Sequence, residues 1–195
     1  MHRQWKGIST DLSAVTKATI KRQYFDIENT DNPYEFHVFV DASDKVYGAA
    51  VYLPRGMQSS LVIAKYRVSP QKQDITLPQL ELMADRTGSR PGSRLLRFVF
   101  DAFKGKINIE QCIMWSESQI VIHWLKSDKR LPIFVANRVQ EINQFPCVIK
   151  YCPTRDNPAD LVTRGIFADK LQQAGIWWNG PTFLKHGTSS MVKAR

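Results

Sequence analysis

Asp41, Glu81, Glu117 and Asp160 lie far apart in the chain, yet each sits beside a segment whose pattern predicts a strand or a helix. Asp41 closes the strand-like run Phe36-His37-Val38-Phe39-Val40. Glu81 lies in the helix-like Leu80-Glu81-Leu82-Met83-Ala84. Glu117 follows the apolar Cys112-Ile113-Met114-Trp115, and Asp160 lies in Asn157-Pro158-Ala159-Asp160-Leu161. Acids gathered from four separate segments suit two-metal hydrolysis of a phosphodiester. Two Mg²⁺ ions about 3.5–4 Å apart need several hard oxygen ligands around them. Three of the acids also have an ordinary reading. Asp41 can cap a turn. Glu81 shares a helical stripe with Leu77, Leu80 and Ala84, so its charge is directed to the apolar side and needs a cation, either an arginine or a metal. If Asn157 is an N-cap and Pro158 the first helical residue, Asp160 falls at the third position. A carboxylate there contributes about 0.3–1 kcal/mol and can complete a capping box.

The chain around these acids is basic. It has 195 residues, with 27 Lys and Arg against 18 Asp and Glu, a net charge of +9 and a pI near 9.6. That excess favours a polyanionic partner, since phosphate contacts release condensed counterions; a basic but merely soluble surface is the alternative. The three cysteines, Cys112, Cys147 and Cys152, form no zinc-like quartet. Cys147 and Cys152 are five apart in an expected strand, point to opposite faces and are poorly placed to bridge. Reduced thiols, an N-terminus without an apolar signal core, and no apolar run near the ~20 residues of a bilayer span lead to the expectation of a soluble intracellular chain that makes no membrane contact.

The elements that must position the acids follow from periodicity. A helix-like stretch covers Trp5 to Ile20, with Ile8, Leu12, Val15 and Thr19 on one stripe. Three strands at 34–41, 46–53 and 60–68 form an antiparallel meander, with turns at Asp44-Lys45 and Pro54-Arg55-Gly56. A helix starts near Leu77-Pro78 with Thr76 as cap. Cys112–Trp115 is a fourth strand, followed by a helix through Ile120–Leu125 that Ser116 and Gln119 would open as a capping box. A further helix covers 132–145, Val148–Tyr151 is a fifth strand, and Asn157-Pro158 opens another helix. The expected fold is α/β: a mixed five-stranded sheet with helices on both faces. Its parts are an N-terminal connecting segment (1–30), the main domain (34–165), a C-terminal packing segment (166–186) and a basic, disordered tail (187–195). Trp177-Trp178 would pack that segment onto the domain, and His123 reads as a packed helix residue.

Several ordered motifs resemble a known family. They are Val40-Asp41-Ala42-Ser43 with Tyr47-Gly48-Ala49, Ile75-Thr76-Leu77-Pro78-Gln79-Leu80-Glu81-Leu82, and Ser118-Gln119-Ile120-Val121-Ile122-His123-Trp124-Leu125. Phe134-Val135-Ala136-Asn137-Arg138-Val139, Asp156-Asn157-Pro158-Ala159-Asp160-Leu161-Val162-Thr163-Arg164-Gly165 and Trp177-Trp178-Asn179-Gly180-Pro181 complete the set. Across roughly residues 5–185 the chain resembles the ribonuclease H-like region of BEL/Pao-type LTR retrotransposon polyproteins. The resemblance implies a ribonuclease H-like fold and Mg²⁺-dependent hydrolysis of RNA in RNA–DNA hybrids. Asp41, Glu81, Glu117 and Asp160 would ligate two Mg²⁺ ions; Ser43, Ser118, Gln119, Asn157 and Arg164 would meet the nucleic acid, whose 2′-OH distinguishes RNA from DNA. It also implies reverse transcriptase and integrase regions as neighbours in a parent polyprotein. The chain shows neither a Tyr-x-Asp-Asp motif nor a His/Cys zinc module, and reads as a fragment or a stand-alone remnant. No Asp-Thr/Ser-Gly tripeptide occurs, so an aspartic peptidase is excluded.

Two departures keep a second reading open. The family generally has Thr-Asp-Ser-Gln where this chain has Ser116-Glu117-Ser118-Gln119. One extra methylene carries the carboxylate about 1.5 Å outward, against a tolerance of ~0.5 Å at functional sites. The helix after Glu81 is interrupted by Gly88-Ser89-Arg90-Pro91-Gly92-Ser93-Arg94, a duplicated Gly-Ser-Arg around a proline, where an interior proline costs ~3 kcal/mol. A break is expected over 86–93. The second reading is a catalytically decayed or domesticated remnant that keeps the fold and only binds nucleic acid.

Overall fold

The computed structural model describes residues 33–70, 76–87, 93–143 and 147–185, together with Asp11 and Thr19; at Glu81, 84–87 and 93–97 it describes the backbone alone. The expected helix over 5–20 and the tail from 187 lie outside the described residues, apart from Asp11, which is helical, and Thr19, which is not.

Three strands open the fold: β1 (Tyr34–Ala42), β2 (Val46–Arg55) and β3 (Gln58–Val68). They pair antiparallel. The second turn is tighter than expected, because pairing continues to Arg55↔Gln58 and leaves only Gly56 and Met57 to reverse the chain. Gly56 takes the positive φ that this reversal needs. Next come α1 (Leu77–Thr87), α2 (Ser93–Phe103), β4 (Ile109–Ser116), α3 (Gln119–Leu125), α4 (Ile133–Asn143) and β5 (Cys147–Tyr151). The chain closes with the short helices α5 (Asp160–Thr163), α6 (Ala168–Gln173) and α7 (Gly175–Asn179) and a 3₁₀ turn at Thr182–Lys185. The strand order is β3-β2-β1-β4-β5, with β4 parallel to both β1 and β5. This is the mixed five-stranded sheet that the sequence predicts. α1 ends at Thr87, just before the first Gly-Ser-Arg, and α2 opens on Ser93-Arg94 of the second; residues 88–92 lie outside the described residues.

β1 is central, so both of its faces are covered and its sequence is apolar almost throughout. Phe36, Val38 and Val40 join Ala49, Val51, Leu53, Cys112 and Met114 under α1 and α2, with Leu80 and Val99 as lids. On the other face, Phe39, Ala50, Tyr52, Ile113 and Trp115 are covered by Ala159, Trp177, Phe183 and Leu184. Those C-terminal residues are bolted down by the Tyr52 hydroxyl, which donates to the Trp177 carbonyl at 2.7 Å. Burying an apolar side chain such as Phe183 or Leu184 contributes about 1.5–3 kcal/mol, so this face depends on residues 177–184. A third cluster joins α1, α3 and α4 through Leu82, Val121, Leu125, Val135, Val139 and Ile142.

Local expectations at the helix ends need correction. Leu77 is half exposed, and α1 turns Leu80, Leu82 and Met83 inward instead. Gln79 Oε1 accepts from the Thr76 amide at 2.9 Å, the reciprocal half of a capping box. α3 is capped by Ser118, whose hydroxyl accepts from the Val121 amide at 3.3 Å. Ser116 cannot cap because it still belongs to the sheet, its carbonyl accepting from the Cys152 amide at 2.9 Å. His123 is exposed, since α3 buries Val121 and Leu125 on its other side. Of the two described histidines, His37 is the buried one. It is 1 % exposed, its Nδ1 accepts from the Trp115 indole at 3.0 Å, and its Nε2 faces Glu35 at 3.4 Å.

Candidate metal centre

Parallel pairing brings the carboxyl ends of β1, β4 and β5 to one edge of the sheet, which is where open α/β sheets collect ligands. Phe39 pairs with Trp115, so Asp41 and Glu117, each two residues further on, reach the same level. After β5 the chain passes through a 3₁₀ turn at Thr154–Asp156 and returns toward β1. Asn157 fixes that return: its Nδ2 donates to the Val40 carbonyl at 3.0 Å, and its Oδ1 accepts from the Ala159 amide at 3.2 Å. Asp160 therefore arrives beside Asp41. One ligand oxygen each from Asp41, Glu117 and Asp160 lies within 4.8 Å of the others.

The surroundings of Asp41 are unusually specified. It is 4 % exposed. Thr163 Oγ1 donates to its Oδ2, and the Ser43 hydroxyl donates to the Thr163 carbonyl at 2.9 Å, so α5 is held at both ends of one residue. Asp41, Gly48 and Tyr66 form one row across β1, β2 and β3. The Tyr66 ring lies over Gly48, where a Cβ would come within 2.3 Å of the ring and 2.5 Å of the Lys65 carbonyl. The Tyr66 hydroxyl reaches the Ala159 carbonyl at 3.4 Å, adjoining Asp160. Gly48→Ala should therefore displace Tyr66, cost about 1–3 kcal/mol by overpacking and loosen the Asp160 turn. Urea unfolding of the variant checks the first effect, and divalent-cation affinity the second; unchanged values of both would show that the ring moves freely.

Three acids this close repel one another. Burial pushes the Asp41 carboxyl up to about 7, and the neighbouring Glu117 and Asp160 charges add to it, while the Thr163 hydroxyl pulls the other way. Asp41 Oδ1 and Glu117 Oε2 are both buried and face no hydrogen-bond donor. Unsatisfied buried carboxylate oxygens are costly, and a cation between them removes the cost. Arg164 supplies some positive charge from outside, its Nε donating to Asp160 Oδ1 at 2.6 Å. It is largely exposed, and such a pair contributes little to stability. The donor set is all hard oxygen and of the right span. Oxygens on opposite sides of one Mg²⁺ stand about 4.2 Å apart, so these residues fit a hard divalent ion.

Of the residues expected at the site, Asp41, Glu117 and Asp160 come together. Glu81 lies on α1 with its side chain outside the described residues. The longer Glu117 side chain stays within the cluster. Asp160 begins α5 and makes no capping box, because its carboxylate bonds Arg164 and the helix is a single turn. Three residues expected at the nucleic acid are engaged inside the fold: Asn157, only 2 % exposed; Ser118, which caps α3; and Ser43, which organises the β1–β2 turn. Gln119 and Arg164 are exposed. Thr163, Tyr66 and Gly48 escaped sequence reasoning as parts of the site. For Thr163 a signal existed, since a residue three after Asp160 on a helix shares its face.

A family model described as Pao retrotransposon-like RNaseH-like domain matches residues 1–118. That span contains Asp41, Glu81 and Glu117 and ends before Asp160, whose place rests on geometry. No curated protein sequence matches. Among solved structures, a foamy viral protease-reverse transcriptase in complex with dsDNA is 13% identical at a TM-score of 0.48, with 79% of this chain and 29% of that chain covered. The N-terminal RNase H domain of rv2228c from Mycobacterium tuberculosis is 12% identical at 0.46, covering 72% and 96%. RNase H1 from the halophilic archaeon Halobacterium salinarum is 12% identical at 0.41, covering 66% and 91%. These are likenesses of outline and lend nothing to the chemistry.

Proposed function

Because the chain belongs to the Pao retrotransposon-like RNaseH-like domain family, we propose that it hydrolyses the RNA strand of RNA–DNA hybrids with Mg²⁺ held by Asp41, Glu117 and Asp160. The observation that carries this reading is the pair of buried, donorless oxygens on Asp41 and Glu117 beside Asp160. Glu81 is proposed as the fourth acid on the family resemblance. Two bound ions would supply an activated water and stabilisation of the leaving 3′ oxygen. The chain's own residues prepare the place. Thr163 orients Asp41 and leaves one of its oxygens to the ion. Asn157, Ser43 and Tyr66 hold the Asp160 turn against β1. Arg164 neutralises part of the acid cluster and, being exposed, is free to meet a phosphate, as is Gln119. The domain is proposed to act within a polyprotein that also carries reverse transcriptase and integrase regions, inside the cell.

The test is Mg²⁺-dependent cleavage of a labelled RNA–DNA hybrid, with Asp41→Asn as control. A folded protein that binds the hybrid without cutting it would leave a binding-only remnant as the function. Affinity should fall steeply with salt, given the +9 charge. Three or four phosphate contacts correspond to a slope of about −3 in log affinity against log salt. Filter binding across salt concentrations measures it, and a flat response would reduce the basic excess to a solvated surface. Among the described residues no helix is long and apolar enough to cross a membrane.

A further inference from the structure

Cys112 and Cys147 are register partners on the adjacent parallel strands β4 and β5. Both belong to the sheet face under α1 and α2, where Cys112 is 1 % exposed and Cys147 is half-buried against the same core. Cys152 belongs to the opposite core, so the sheet separates it from this pair. Neighbouring strands stand about 4.7–4.9 Å apart, inside the Cα separation of roughly 4.4–6.8 Å that a disulfide spans. All three cysteines are free. Among the described residues β5 is an edge strand, paired with β4 alone, so fewer ladder bonds oppose the shift that bond formation requires. We propose that Cys112 and Cys147 are a two-thiol modification site, which a small-molecule disulfide converts into an intrachain disulfide joining β4 to β5.

Cys147 is the point of entry because it is the accessible thiol of the two. Its thiolate attacks one sulfur of the reagent RSSR, forming Cys147–S–S–R; the released RS⁻ takes up the proton that Cys147 lost. Until then Cys112 is held in the thiol form, first by the neighbouring Cys147 thiol and then by burial. Capping Cys147 removes the first of these. Cys112 then loses its proton, attacks the Cys147 sulfur and expels the second RS⁻, which is protonated in turn. The two protein thiols are oxidised by two electrons and RSSR is reduced to two RSH. The bond ties together the strands that lead to Glu117 and to the Asp160 turn. By restricting the unfolded chain it should raise Tm by several degrees.

The experiment treats the folded chain with excess oxidised glutathione, alkylates the remaining thiols and maps the peptides by mass. The expected product links the Cys112 and Cys147 peptides, leaves Cys152 alkylated and returns to three free thiols with dithiothreitol. Glutathione retained on Cys147 with Cys112 alkylated would overturn the proposal. So would a bridge to Cys152, or three alkylated cysteines while a reference protein with an exposed thiol is fully modified in the same tube. Cys112→Ser should stop at the Cys147 adduct; if that variant fails to fold, the peptide map of the natural chain decides alone.

Discussion

Asp41→Asn is expected to abolish divalent-cation binding and hybrid cleavage, and at the same time to stabilise the metal-free protein above neutral pH. The loss of a central ligand should cost about 10³-fold or more in rate, roughly 4 kcal/mol of transition-state stabilisation. The gain follows from the carboxyl pushed up to about 7 by burial and by the Glu117 and Asp160 charges. Protonated Asp41 favours the folded state, so its contribution is fully present below the ordinary value of 3.8 and is lost as pH rises through 7. At about 1.36 kcal/mol per unit, the ionised side chain costs up to roughly 4 kcal/mol at pH 8. Asparagine carries no such charge and can still accept from Thr163. In EDTA at pH 8 the variant should therefore unfold at higher urea, by about 1–3 kcal/mol, with the difference vanishing near pH 4. Saturating Mg²⁺ should reverse the order, since ligand at a hundred times Kd stabilises the natural chain by about 2.7 kcal/mol. A variant less stable than its parent at pH 8 in EDTA would mean that the acids do not crowd one another.

Glu117→Asp should lower cleavage at least tenfold, equivalent to about 1.4 kcal/mol, and weaken cation binding with it. In the structure the longer side chain reaches the cluster and presents a buried, donorless oxygen. Removing a methylene withdraws that oxygen by about 1.5 Å, well beyond the ~0.5 Å that such sites tolerate. The same change should bring the Asp41 carboxyl down toward its usual range, because a facing charge recedes. Cleavage rates and the pH dependence of urea unfolding read the two effects separately. Faster cleavage by the variant would show that glutamate holds an ion out of place.

The sheet was legible because its strands are bounded by turns and by the change from apolar runs to helical period. Asp41 and Asp160 were legible because each adjoins an element whose end could be found from local residues. What could not be read are the fastenings. The bonds from Asn157 to Val40, from Ser43 to Thr163 and from Thr163 to Asp41 cross 117, 120 and 122 residues, and no local pattern encodes such partners. Asn157 and Ser43, expected at the nucleic acid, thus serve as internal ties. The α3 cap was misplaced by two residues for a related reason, since pairing with β5 keeps Ser116 in the sheet. Glu117 could be placed beside the other acids only by the fold, which brings one of its ligand oxygens within 4.8 Å of those of Asp41 and Asp160.

Those three long-range ties also set an order of events during synthesis. A nascent chain can assemble its antiparallel meander early, from contacts between near neighbours in sequence, whereas contacts between distant residues form slowly. Asp160 and Thr163 emerge from the ribosome long after Asp41, and a chain made from its N-terminus folds its earlier portions first. Until Asn157 docks on Val40, Asp41 has neither its hydroxyl partner nor its third acid. A chain terminated before Asn157 would thus present Asp41 without the Thr163 hydroxyl and without Asp160, so the proposed cation site is completed only after β5 has been made.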